Sequence, residues 1–109
     1  MFLKDYYLNK RHPLFINMTQ LVIENIEWIR SIGCVLYLDN PGDFPLFADA
    51  IIFNGLNGTE KCRGFVAVLR EDADKCEQKG IIRATIRLDT TQDIPAKGDI
   101  ILLTLLNLE

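Results

Sequence analysis

From Gly33 onward the chain is cut by turn-forming clusters at short intervals, and between the cuts apolar and polar residues alternate or run as short apolar stretches. A period of two with frequent breakers is the signature of strands joined by tight reversals. Residues 34–38 read as a strand that ends in Asp39-Asn40-Pro41-Gly42-Asp43, a dense turn signal. Residues 48–53 form a second, followed by Asn54-Gly55-Leu56-Asn57-Gly58, whose Asn-Gly pairs suit tight turns. Residues 60–70 give a third strand, apolar on both faces between Phe65 and Leu69 and therefore central. Gly80 opens a fourth, in which Ile82, Ala84, Ile86 and Leu88 alternate with Arg83, Thr85, Arg87 and Asp89. Gly98-Asp99 opens a fifth over residues 100–106.

The segment before Gly33 is different. Phe15, Met18, Val22, Ile26 and Ile29 recur at three- and four-residue steps, widened by Leu14, Leu21, Trp28 and Ile32. This spacing predicts an amphipathic helix from about residue 17 to 32, with Asn17 and Gln20 as a capping pair and Gly33 closing it. Residues 1–12 show neither period and read as a flexible arm. The expectation is one α+β domain over residues 13–109: an N-terminal helix packed on an antiparallel β-sandwich or small β-barrel of about five strands. At 109 residues such a chain can hold a core without disulfides or metal.

Charge and cysteine content narrow the function classes. Twelve Lys and Arg against fifteen Asp and Glu give a formal net charge of −3. Nucleic-acid binding relies on clustered cations, so neither that nor membrane association is expected. Cys34, Cys62 and Cys76 are odd in number and lack a C-x-x-C pair, which speaks against both a disulfide framework and zinc. With no signal-peptide pattern at Met1–Tyr7, a cytoplasmic protein is expected. Cys34 and Cys62, in strands, read as buried apolar groups, whereas Cys76 falls in a charged loop and should be reachable.

No catalytic constellation emerges. His12 is the single histidine and reads as a solvated residue of the arm. Asp72, Asp74 and Glu77 resemble a calcium loop only superficially, since the glycine and terminal Glu of such loops are missing and Lys75 stands among them. Asp39, Asp43 and Asp49 suit turns, and Gly55, Gly58 and Gly64 make no phosphate cradle. No enzyme, cofactor or metal is expected. The segment that stands out is residues 71–79, a polar connection longer than hairpins need and without apolar anchors. It reads as a mobile interface loop, with Glu71, Asp72, Asp74, Lys75, Glu77 and Lys79 as the candidate contact residues.

The C-terminal half carries a resemblance. Arg63-Gly64-Phe65-Val66-Ala67-Val68-Leu69-Arg70 runs into the acidic loop. Gly80-Ile81-Ile82-Arg83-Ala84-Thr85-Ile86-Arg87-Leu88-Asp89 then leads to Asp93-Ile94-Pro95-Ala96-Lys97-Gly98-Asp99-Ile100-Ile101. This order resembles the head–tail joining proteins of lambda-like tailed phages, whose Arg-Gly strand, long loop and Ile/Val-Pro-x-x-Gly-Asp turn follow the same sequence; the expected N-terminal helix followed by Gly33 and a strand agrees with that layout, so the resemblance spans roughly residues 15–103. Members usually continue with a further C-terminal hairpin; here Glu109 is the last residue given. The resemblance implies a virion adaptor that forms a homo-oligomeric ring between portal and tail, bound to portal or connector and tail-completion proteins, with the long loop facing the DNA channel or a neighbouring ring. Two other readings remain beside it: a small protein-binding module such as an immunity or inhibitor protein, and an oligonucleotide-binding barrel. The last wants exposed aromatics beside cations, and Phe44, Phe47, Phe53 and Phe65 read as core or turn residues.

Overall fold

The computed structural model describes residues 18–89 and 93–105. They form six strands: β1 (Met18–Ile29), β2 (Gly33–Asn40), β3 (Phe47–Phe53), β4 (Glu60–Val68), β5 (Gly80–Leu88) and β6 (Ile100–Leu105). A short 3-10 helix, Arg70–Lys75, lies between β4 and β5. All neighbouring pairs are antiparallel and close into a barrel in the order β1-β2-β5-β4-β3-β6, with β6 returning to β1. Closure leaves no strand with an open edge.

An antiparallel barrel is present, but it has six strands rather than about five and lacks the expected N-terminal helix; the segments after Gly33 expected to be strands are β2–β6. Residues 18–29 are the longest strand of the barrel, paired with β2 through Ile29↔Gly33 and with β6 through Met18↔Thr104. The helical spacing has a physical origin. A β-bulge shifts the β1–β2 register between Ile23 and Asn25, and the extra residue resets which side chains face inward. Leu21 and Ile23 point into the core before the bulge, and Ile26 after it. The bulge inserts one three-residue step, Ile23 to Ile26, into a period of two, and the exposed Val22 completes the helical spacing without facing the core. Val22, Ile23, Ile26 and Ile29 are all β-branched, which favours the extended form. Gly33 does adopt a positive φ of 103°, but it closes the β1–β2 hairpin rather than a helix.

The barrel is filled by alternate residues of each strand, among them Ile23, Leu36, Leu38, Ile52, Val66, Ile82, Ile101 and Leu103. A six-stranded barrel is narrow, and Ala48, Ala50, Ala84 and Gly64 supply the small members of its lining. At Gly64 a side chain is excluded outright, because a Cβ would lie 2.5 Å from the Arg87 carbonyl oxygen on β5.

Candidate functional site

Antiparallel topology sorts the connections. The β1–β2 turn (30–32), the β3–β4 loop (54–59) and the β5–β6 connection (89–99) leave one end of the barrel. The β2–β3 connection (41–46) and the β4–β5 connection (69–79) leave the other. The two ends differ in chemistry, and the barrel's buried polar residues, Asn40, Asp72 and Asp99, each build one of them.

The acidic end holds all six residues expected in an interface loop. Glu71, Asp74, Lys75, Glu77 and Lys79 are exposed, with Asp39 and Asp43 on the adjoining chain. Asp72 is not a contact residue: it is 1 % exposed. Its Oδ2 accepts the backbone N–H of Arg83 at 2.9 Å and its Nε–H at 3.1 Å, and Oδ1 accepts Nη2–H at 2.8 Å. Lys75 Nζ stands 3.5 Å from the same Oδ1. The bonds from the Arg83 side chain hold the Asp72 carboxyl at about 2, against the opposing effect of burial.

Asn40 provides the second anchor. Its amide nitrogen lies 3.1, 2.8 and 2.9 Å from the carbonyl oxygens of Lys75, Cys76 and Gln78. Its Oδ1 accepts N–H groups of Gly42 and Asp43, and Phe44 donates its N–H to the Cys76 carbonyl at 2.9 Å. The expectation of an unanchored segment with a reachable Cys76 is therefore corrected. Residues 71–79 are tied at Asp72 and at Cys76, and burial of the Cys76 thiol pushes its pKa up. Beside the buried Cys76, the anchors are the Asp72 carboxylate and the Asn40 amide, polar groups whose partners lie on other segments. Cys34 and Cys62 are buried as expected, the latter pushed up to about 11 by burial.

The opposite end is apolar at its tips. Trp28 is 56 % exposed, Ile32 49 %, Leu56 99 % and Ile94 52 %, so each of the three connections there presents a large apolar side chain. Asp99 holds this end in shape. It accepts N–H from Gly55 at 3.1 Å and from Ala96 at 2.9 Å, and it pairs with Lys61 Nζ at 2.7 Å. Ile23 and Gly98 add backbone bonds from β1 to the β5–β6 connection. Gly55 sits so close to Gly98 that no other residue fits, since a Cβ would collide with the Gly98 carbonyl oxygen. Beside Trp28 and Ile32 a groove of about 410 Å³ opens against Thr85, Ile86, Arg87 and Leu88.

The aromatics divide. Phe44 and Phe53 are buried, whereas Phe47 is 56 % exposed and stacks on Phe65 with centroids 6.1 Å apart. Both alternate with inward residues and so lie on the outer wall, where the Arg87 guanidinium sits 6.0 Å from the Phe65 ring centroid. His12 lies outside the described residues. No group of three or more His, Cys, Asp or Glu is placed to hold a metal ion among the described residues, and no helix there is long and apolar enough to cross a membrane.

No family model, curated protein or solved structure matches this chain. Nothing in the sequence groups the tip residues: Ile32 reads as part of the helical stripe, Leu56 and Ile94 stand in turns, and only the topology brings them to one end. Asp99 had a partial signal in its position after Gly98, which marks a turn but not what the carboxylate binds.

Proposed function

We propose that this chain is a non-enzymatic adaptor that joins two different protein surfaces, as head–tail joining proteins do when they form a ring between portal and tail. The observation that carries the reading is the polarity of the barrel. One end presents apolar tips at Trp28, Ile32, Leu56 and Ile94; the other presents the exposed acids Asp43, Glu71, Asp74 and Glu77 in excess over Arg70, Lys75 and Lys79, with Leu46 and Ile81 exposed beside them. An adaptor has to meet two partners of unlike chemistry, and exposed apolar side chains at one end suit one of them. The charges around the tips are mixed, with Arg30, Lys61 and Lys97 against Glu60, Asp89 and Asp93, which suits a protein better than an anionic lipid surface.

The resemblance in residues 63–101 falls on β4, the acidic connection, β5 and the turn into β6, and it is compatible with a closed barrel. Its N-terminal part, which rested on a helix, contributes nothing. An oligonucleotide-binding reading draws on the Phe47–Phe65 pair beside Arg87, but Asp72 neutralises Arg83 and Glu60 neutralises Arg63 on the same wall. The test is to mix the purified protein with portal–connector particles encoded by the same genome and image them. A ring added to the connector supports the adaptor. Bare connectors, or tight stoichiometric binding to an unrelated toxin, would move the assignment to an inhibitor-type module.

A further inference from the structure

The barrel is closed along its length, but at the apolar end one strand outruns its neighbour. The β2–β5 ladder stops at Cys34↔Ile86, whereas β5 continues against β4 to Gly64↔Leu88. On β5 the Arg83 carbonyl accepts from the Leu69 N–H, and Asp89 donates its N–H to the Arg63 carbonyl, both toward β4. Main-chain groups alternate sides along an antiparallel strand, so those of Leu88 point toward β2. Ile32 stands where that ladder would continue, but it donates its N–H to the Ile29 carbonyl at 3.0 Å, and no backbone bond joins its turn to Leu88. The Leu88 main chain thus faces the groove bordered by Trp28 and Ile32.

The floor of this groove is Cys34 and Ile86, both core residues, and Trp28 and Ile32 form its half-exposed rim. Its charged lining residue is Arg87, whose guanidinium lies on the outer wall, 6.0 Å from the Phe65 ring centroid. Arg87 has no carboxylate partner among the described residues. The acids nearest in sequence are engaged elsewhere: Glu27 accepts the Tyr37 Oη–H at 2.7 Å, and Asp89 lines a separate recess with Asp49 and Arg63.

We infer that this notch binds an extended segment of a partner protein in which a large apolar residue adjoins an Asp or Glu. The segment's main chain pairs with Leu88, as a strand added to a sheet edge does. Successive side chains of an extended segment point to opposite faces. The apolar one enters over Cys34 and Ile86, and the carboxylate beside it falls on the outer wall at Arg87, whose fork accepts two oxygens. A segment with Lys in that place meets like charge and is rejected. The inference deepens the adaptor reading, on which the identity of the partner at this end rests; the notch itself is read from the strand ends.

The probe is a blocked tetrapeptide, Thr-Leu-Asp-Thr, added to the isotopically labelled full chain and followed by amide chemical shifts. Shifts are expected at Gly33, Cys34, Arg87 and Leu88 at millimolar peptide. Replacing the peptide's Leu by Ser, or its Asp by Lys, should weaken binding by about tenfold. Arg87→Glu, at an exposed position, should leave the circular dichroism unchanged and reverse the ranking of the Asp and Lys peptides. No shift at these residues, equal binding of all the peptides, or an unchanged ranking with Arg87→Glu would overturn the inference. Decoration of portal–connector particles is scored separately. Peptide binding without decoration refutes the adaptor and leaves the notch standing; decoration without peptide binding does the reverse.

Discussion

Asp72 shows how a single buried carboxylate can replace an apolar anchor. Three bonds from Arg83 satisfy it, and the buried carboxyl is thereby held at about 2. A folded-state value below that of the unfolded chain means the stabilisation is complete above about pH 4 and is lost as pH falls toward 2. Allowing for solvent around the partly exposed Arg83, the contribution is about 1–2 kcal/mol. Denaturant midpoints measured through that window should fall more steeply for the native protein than for Asp72→Asn. Parallel curves would remove Asp72 from the anchor. Asn40→Ala leaves the carbonyls of Cys76 and its neighbours without their donor and should cost about 1–3 kcal/mol in the same measurement. The thiols of Cys34, Cys62 and Cys76, all buried and raised in pKa, should react with an aromatic disulfide far more slowly before unfolding than after. One rapidly modified thiol in the folded protein would show that a site has opened.

Within β1, two adjacent residues discriminate between strand and helix. A helical stripe buries Val22 together with Ile26 and Ile29; the strand buries Ile23 completely and leaves Val22 48 % exposed. Ile23→Ala should therefore cost about 2–5 kcal/mol and Val22→Ala much less, by denaturant midpoint. The reverse order would restore the helix. Gly64→Ala drives a methyl group into the Arg87 carbonyl and should destabilise by about 1–3 kcal/mol or more, unlike most surface substitutions. The strands after Gly33 were legible because each is bracketed by turn residues that act locally. β1 carries a helix-like spacing in the sequence because its bulge is defined by pairing with β2, a partner that a one-dimensional period cannot see. Barrel closure was open for the same reason: β6 joins both β1 and β3 across long sequence separations.

At the scale of the whole molecule, the candidate site is the two ends of the barrel rather than a pocket. The acidic end was legible as a charge run, although Asp72 and Cys76 within it turned out to be internal. The apolar end was not, because Ile32, Leu56 and Ile94 lie far apart in sequence and meet only through the antiparallel order of the strands. The proposed adaptor would use these two ends as its partner-facing surfaces. Backbone amide exchange, compared between the free protein and the protein assembled on portal–connector particles and tail partner, tests this most directly. Slowed exchange is expected in residues 30–33, 54–59 and 93–98 at one end and 69–79 at the other, each set appearing with a different partner. Exchange unchanged at both ends, or protection of both ends by the same single partner, would contradict the adaptor.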